Sequence, residues 1–402
     1  MRKVRAACRY IHFIMTAKWM WLPPKKAKVL VYDRVGSELF RYYIAEECFS
    51  VLDVRGETLN IWIMFRALMS LSLKGRFFFK YQMLYVQAVQ PVVLLTCIDN
   101  NESFYYLCGK KNLVKVMVQN AYRSSETDTM GLFIKKKTFV DIDYVFVFGV
   151  AIGKKYAEYI RGNIIPIGSF RNNVINETQR NSNTHLSRAV LFISQYRTPP
   201  VNPEQFVQTS AGEQISWDDF YRAEMILLPF LAHYASENHL DFFVCACQSG
   251  PLSELEKKYF ETILHGAKWE YLVKTSPYSS YDYVNSAGYV VFIDSTLGYE
   301  ALVNRRRVAS FSIRGNYIPV DDLTFGWPYQ CNEAGFFWTN RVNTREWTDI
   351  MNNIVQVSEG DWSTILSEQL DEIITHDPGN SKFVHLLDTL GITTKIGDTE
   401  VG

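Results

Sequence analysis

The feature that most constrains this chain is a recurring unit. Four or five apolar residues run into a tip of small polar residues, and a segment with helical spacing follows. The clearest instance is Val290-Val291-Phe292-Ile293 leading into Asp294-Ser295-Thr296, with Gly298 to Asn304 behind it. An unbroken apolar run of this length fits a strand buried on both faces, as in parallel sheets covered by helices. Ser295 or Thr296 stands where the next helix needs an N-cap. In open sheets of this kind the ligand crevice lies outside the strand C-termini, where helix N-termini present N–H groups to anions.

The unit repeats along the chain. In the first half it appears at Lys28–Asp33, Phe49–Val54, Pro91–Ile98 (ending in Asp99-Asn100-Asn101), Val114–Val118 (ending in Gln119-Asn120), Tyr144–Phe148 and Ile164–Ile167. Helical spacing covers Leu59–Leu71 and Phe77–Val89 between them. Residues 28–171 therefore read as one Rossmann-like, doubly wound domain. A polar stretch rich in Asn, Thr and Ser follows, and 172–187 reads as a linker. From 188 to 402 the pattern restarts. Ala189–Ile193 ends in Ser194-Gln195-Tyr196-Arg197, a long amphipathic helix spans Trp217–Asn238, Asp241–Cys247 ends in Gln248-Ser249, and Glu270–Val273 ends in Lys274-Thr275-Ser276. Arg307–Ser312 and Gly335–Trp338 complete the strands, and helices over Trp347–Val357, Trp362–Thr375 and Phe383–Leu390 close the chain. The expected class is α/β, with two Rossmann-like domains facing each other across a cleft.

Composition supports folding and excludes some partners. With 402 residues, 48% hydrophobic and 15% aromatic, the chain can bury about two domain-sized cores. Formal net charge is zero, so no global field draws it to nucleic acid. Basic residues cluster only locally, at Lys25-Lys26-Ala27-Lys28, Lys135-Lys136-Lys137 and Arg305-Arg306-Arg307, which suit solvated faces, phosphates or an anionic leaflet. Seven cysteines, several within apolar runs, read as core residues of a reducing compartment. Neither they nor the histidines show metal spacing, and no metal is expected. No apolar run reaches membrane-spanning length. Residues 1–27 carry a basic, amphipathic segment over 1–22, read as a helix packed on its own domain, with a membrane interface as the alternative.

The strand tips carry a family resemblance over nearly the whole chain. Ser37-Glu38, Leu52-Asp53-Val54-Arg55-Gly56-Glu57, Asp99-Asn100-Asn101, Gln119-Asn120-Ala121-Tyr122-Arg123, Pro166-Ile167-Gly168-Ser169-Phe170, Phe192-Ile193-Ser194-Gln195-Tyr196, Asp294 to Leu302 and Asp377-Pro378 occur in order. Together they resemble bacterial surface-carbohydrate biosynthesis transferases of lipopolysaccharide and capsule loci. More distantly the layout is similar to β-Kdo transferases, which use CMP-Kdo. The resemblance implies a GT-B-like fold and metal-independent transfer of a sugar, with Kdo or another CMP-activated acidic sugar as a candidate, from a nucleotide sugar to a glycan or lipid-linked glycan. It also implies a cytoplasmic protein working at the inner face of the membrane.

On that reading the second domain holds the donor, with Ser194, Gln195, Tyr196, Arg197, Gln248, Ser249, Lys274, Ser276, Asp294, Ser295, Thr296 and Gly298 at its strand ends. Arg197 and Lys274 are the phosphate partners, and Glu300 accepts sugar or ribose hydroxyls. The first domain holds the acceptor through Asp33, Asn100, Asn101, Gln119, Asn120 and Arg123, with Asp99 as general base; Asp33 and Asp53 are second choices. Tyr122, Tyr196, Tyr278 and Tyr281 could stack on a base or sugar. Two rivals stand beside the transferase. One is a nucleotide-sugar epimerase on the same architecture. The other is a degenerate transferase serving as a scaffold, suggested by Cys247-Gln248-Ser249, where a basic phosphate partner is expected.

Overall fold

The computed structural model describes residues 16–70, 77–98, 101–109, 112–121, 138–178, 186–208, 213–318 and 334–395. A short parallel pair, β1 (Lys18–Met20) and β4 (Thr58–Asn60), flanks the first of two six-stranded sheets. That sheet holds β2 (Val29–Tyr32), β3 (Phe49–Leu52), β5 (Val93–Thr96), β6 (Val114–Val118), β7 (Val140–Val147) and β8 (Ile160–Pro166), in the order β3-β2-β5-β6-β7-β8. The second holds β9 (Ala189–Ile193), β12 (Asp241–Cys245), β13 (Glu270–Leu272), β14 (Tyr289–Phe292), β15 (Arg307–Phe311) and β16 (Trp338–Thr339), in the order β13-β12-β9-β14-β15-β16. A two-residue antiparallel ribbon, β10 (Val207–Gln208) and β11 (Gln214–Ile215), sits between β9 and β12 in the chain. Every pairing in both large sheets is parallel.

The helices of the first half are α1 (Ser37–Arg41), α2 (Ile61–Met69), α3 (Phe77–Val89), α4 (Glu102–Tyr106), α5 (Val150–Ala157) and α6 (Phe170–Thr178). Those of the second are α7 (Trp217–Glu237), α8 (Pro251–Ile263), α9 (Ser279–Ser286), α10 (Thr296–Val303), α11 (Thr344–Gln356), α12 (Glu359–Ser367), α13 (Leu370–Ile373) and α14 (Ser381–Thr389). Strand residues alternate cleanly between two apolar clusters. Leu30, Tyr32, Leu94, Met117 and Val145 join one face, while Val29, Val31, Val93, Leu95 and Val116 join the other. Both faces are therefore covered, which is why the strands read as unbroken apolar runs.

The topology fixes where a ligand can sit. In the second sheet the winding direction reverses between β9 and β14, and in the first between β2 and β5. At such a switch point neighbouring connections leave to opposite faces and open a crevice at the strand C-termini.

Four expectations change. The basic segment read as a helix over 1–22 contains β1, paired Lys18↔Thr58 and Met20↔Asn60. Its exposed Lys18 and Met20 flank a half-buried Trp19, the period of a strand; residues 1–15 lie outside the described ones. The start of the stretch read as a linker is helix α6, with Asn172 and Asn173 buried. Asn173 Nδ2 donates to Ile167 O at 2.8 Å and to Asn380 Oδ1 at 2.9 Å, so these asparagines are cross-links, not spacers. The helix expected over Trp362–Thr375 divides into α12 and α13. Finally, the closing helix does not stay with the second domain. The ring of Phe383 on α14 packs on Phe40, Tyr43, Phe146 and Phe170 of the first, with centroids 5.0–5.9 Å apart. No helix among the described residues is long and apolar enough to cross a membrane.

Candidate functional site

A cleft of about 440 Å³ lies where the C-terminal ends of the two sheets meet. The first domain contributes Cys97 beyond β5, Gln119 and Asn120 beyond β6, and Ser169 with Arg171 at the start of α6. The second contributes Ser194, Gln195 and Arg197 beyond β9, Cys247, Lys274, then Ser280 and Tyr281 of α9, and Ser295, Thr296 and Glu300 around the start of α10. Two helices from different domains, α6 and α10, thus point their N-termini into one cavity. Ser169 caps α6, accepting from Asn172 N at 3.3 Å.

Glu300 is the chemical centre of this wall. It is buried, at 4% exposure, and its Oε1 accepts a hydrogen bond from the Ser169 hydroxyl of the opposite domain. Burial pushes its carboxyl up to about 7, against the opposing pull of hydrogen bonds from Ser169 and Tyr281 and of the Arg171 charge. Burial, reinforced by Glu300, in turn holds the Tyr281 hydroxyl well above its ordinary range. A carboxyl that titrates near neutrality can accept hydroxyls as an anion or exchange a proton with a bound sugar. Arg197 is exposed and Lys274 half-buried, and neither pairs with a carboxylate among the described residues. The cavity therefore offers these two cations and two helix N-termini to an anionic ligand, beside Arg171, which pairs with Glu38 at 3.8 Å.

The model of the O-antigen biosynthesis protein family matches residues 116–390, more than half of the chain. The chain belongs to that family. A search of curated proteins finds no match. Among solved structures, a protein of Listeria monocytogenes assigned as a UDP-N-acetylglucosamine 2-epimerase aligns with TM-score 0.53 and 9% identity, over 91% of this chain and 97% of its own. S. aureus MnaA, solved with UDP, aligns with TM-score 0.50 and 11% identity, over 92% of this chain and 98% of its own. The architecture of this O-antigen family member is accordingly the GT-B-like arrangement of two facing Rossmann-like domains.

The remaining residues singled out in the sequence separate into those that face the cleft and those that brace it. Gln119 lines it but spends its amide on the wall, donating to Ala121 O at 3.0 Å and accepting from Phe148 N at 2.9 Å. Asn120 is exposed in it. Ser194 lines it, yet donates to Glu256 and accepts from Tyr196 N at 3.1 Å. Ser295 is the N-cap residue of α10, although its hydroxyl makes no capping bond.

Others turn away. Asp294 is a correction: both of its oxygens take Arg314, at 2.7 and 3.1 Å, in a buried triad completed by Glu224. Burial opposes the Arg314 charge, but Asp294 and then Glu224 outweigh it, and the guanidinium stays well above its ordinary value. Asp33 is another, since Arg55 Nε holds its Oδ2 at 2.8 Å and Asp53 is taken by Arg34. Tyr196 is buried in an aromatic cluster with Trp217, Tyr221 and Tyr259 and cannot stack on a base. Gln248 donates to Tyr196 O at 2.6 Å, Ser249 is exposed outside the cleft, and Ser276 shapes a turn by accepting from Tyr278 N. Gly298 is a packing residue, because a Cβ there would stand 2.1–2.5 Å from the Phe292 ring. Asn101 caps α4, accepting from Ser103 N at 3.1 Å. Asp99, Asn100, Tyr122 and Arg123 lie outside the described residues.

Sequence reading missed Ser169 and Arg171 as site residues, and the braces Glu256, Glu224 and Arg314. Glu256 accepts from Ser194, Cys247 N, Gln248 N and the Tyr271 hydroxyl, and so ties together the tips of β9 and β12. The signal was available: Glu256 and Glu224 sit on apolar helix stripes, four residues from Phe260 and Phe220, where a charge needs a buried partner.

Proposed function

We propose that the chain is a glycosyltransferase of O-antigen assembly, moving a sugar from a nucleotide donor in the second domain to a glycan or lipid-linked glycan in the first. The observation that carries this reading is Glu300, a carboxyl titrating at about 7, set between two domains beside Arg197 and Lys274. In this reading Arg197, Lys274 and the N-terminus of α10 take the donor phosphates, and stabilise the leaving phosphate without a metal. Glu300 accepts a hydroxyl of the donor. Asp99, after β5, is the base that removes the proton of the acceptor hydroxyl, whose oxygen then attacks the anomeric carbon as the nucleotide departs. Arg171 gives the cleft a third cation, suited to the carboxylate of an acidic donor such as CMP-Kdo. The enzyme works at the inner face of the membrane, where lipid-linked acceptors are found.

The test is a thermal-shift and calorimetric screen against CMP, CDP, UDP, GDP and dTDP. One nucleotide should stabilise the protein, and Arg197→Ala and Lys274→Ala should each weaken it at least tenfold; silence from all five at millimolar concentration overturns the reading. Asp99→Asn should abolish transfer while nucleotide affinity persists.

A second reading is supported by the same carboxyl. A group poised near neutrality also suits removal of a proton from a sugar carbon, and a protein of this fold is assigned as a UDP-N-acetylglucosamine 2-epimerase. Consumption of nucleotide sugar in the absence of any acceptor, with conversion to its epimer, would favour it.

A further inference from the structure

A second cavity, of about 590 Å³, lies at the opposite end of the second sheet. It is lined by Gly288 and Tyr289 at the start of β14, Arg307 at the start of β15, and Arg305 and Arg306 between α10 and β15. Because the strands are parallel, these N-terminal ends are the far side of the domain from the donor cleft.

Three guanidinium groups meet a single carboxylate, Glu359, among the lining residues. The three arginines are held in place rather than left to solvent. Arg305 donates to the Ser363 hydroxyl, Arg306 Nη2 to Ala287 O, and Arg307 Nη1 to Val355 O at 3.3 Å. The Trp362 indole N–H lies 3.1 Å from the carbonyls of both Arg305 and Arg306, and clamps the turn. Arg305 itself adopts the left-handed region, φ 54°, unusual for a residue with a side chain.

Capping of α10 does not account for this arrangement. The carbonyls of Glu300, Ala301 and Leu302 already accept backbone N–H groups from Asn304, Arg306 and Arg305. What remains unexplained is Arg306 Nε, a buried donor with no hydrogen-bond partner. Burial and the neighbouring Arg307 also push the Arg306 guanidinium below its ordinary value, so its charge is under-compensated where it stands. An anion with several oxygens and more than one negative charge would offset the like charges that line the cavity.

We propose that this cavity is a phosphate-binding site, separate from the donor cleft, for a phosphate monoester or diphosphate. Such a group comes either from a soluble metabolite or from a lipid headgroup, and the experiment separates the two.

The probes are inorganic pyrophosphate by calorimetry and phosphatidic acid vesicles, whose headgroup is a phosphate monoester, by co-sedimentation, with phosphatidylcholine vesicles as control. The background is the Arg197→Ala, Lys274→Ala double variant, which disables the cleft. Saturable 1:1 pyrophosphate binding should survive in that background and weaken at least tenfold on adding Arg306→Gln. Arg307→Gln, less embedded, should act in the same direction if Arg306→Gln fails to fold, with folding checked by circular dichroism. Pyrophosphate binding without vesicle binding assigns a soluble source; vesicle binding that pyrophosphate reverses assigns a headgroup. The proposal is overturned if the double variant binds neither probe, or if folded Arg306→Gln and Arg307→Gln variants bind with unchanged affinity.

Discussion

At the scale of single residues, Glu300 and Arg314 show two ways of burying charge. Glu300 has only hydrogen bonds and one half-exposed arginine near it, so burial wins and its carboxyl rises from 4.5 to about 7. A carboxyl raised on folding binds more protons in the native state. Its contribution to stability is therefore present below about pH 4.5 and is lost as pH rises through about 7. At about 1.4 kcal/mol per unit the loss by pH 8 is on the order of 3 kcal/mol. Glu300→Gln should thus unfold at higher denaturant concentration than the wild type at pH 8, and lose the decline between pH 4.5 and 7; a variant less stable at pH 8 would contradict this account. Arg314, by contrast, is 1% exposed and paired with two carboxylates. Arg314→Met leaves Asp294 and Glu224 buried without a counter-charge, and should cost about 3–5 kcal/mol in chemical denaturation. An unaffected midpoint would mean the triad contributes little.

At the scale of elements, the strand tips were legible because buried parallel strands announce themselves as unbroken apolar runs. The order in which those strands pair, and with it both switch points, comes from the structure and not from the runs. What the tips do was less legible. Asp33, Asp294 and Ser194 have the right residue types at the right ends, yet each is occupied by a partner distant in sequence: Arg55, Arg314 and Glu256. Short polar side chains look alike whether they face a ligand or brace a loop, and only the partner decides. The same holds for Asn172 and Asn173, whose type suggests a loop but whose amides satisfy buried groups. Gly298 makes the point for backbone approach. It reads as part of a polar tip, whereas its role is to let α10 lie against Phe292. Gly298→Ala must displace that ring or the helix, an overpacking that costs about 1–3 kcal/mol. Since α10 carries Thr296 and Glu300, nucleotide affinity should fall with stability in this variant; a fully stable, fully binding Gly298→Ala would show that the helix tolerates the shift.

At the scale of the whole molecule, the chain is tied shut at its end. After α13 it crosses back along the first domain, where Thr375 N donates to Phe148 O at 2.7 Å, and α14 covers the outer face of the first sheet. Asn380 sits at the crossing, fully buried, donating to the Tyr43 hydroxyl at 2.7 Å and to Phe170 O at 3.0 Å. The first domain therefore lacks part of its core until the last helix docks, although the chain reaches that helix only after building the second domain. A sequence pattern places α14 as a helix but carries no information about which sheet it will cover. This threading makes the two domains mutually dependent, and the apolar cluster that runs through both points the same way. Calorimetry of the wild type should show one cooperative transition. Phe383→Ala removes a fully buried ring that meets four others, which costs about 3–5 kcal/mol. Because the loss falls on the contact that joins the chain end to the first sheet, that domain should melt first and the single transition should divide. Two resolved transitions already present in the wild type, or a Phe383→Ala protein that still melts in one step at the wild-type temperature, would show that the domains fold independently of the crossing.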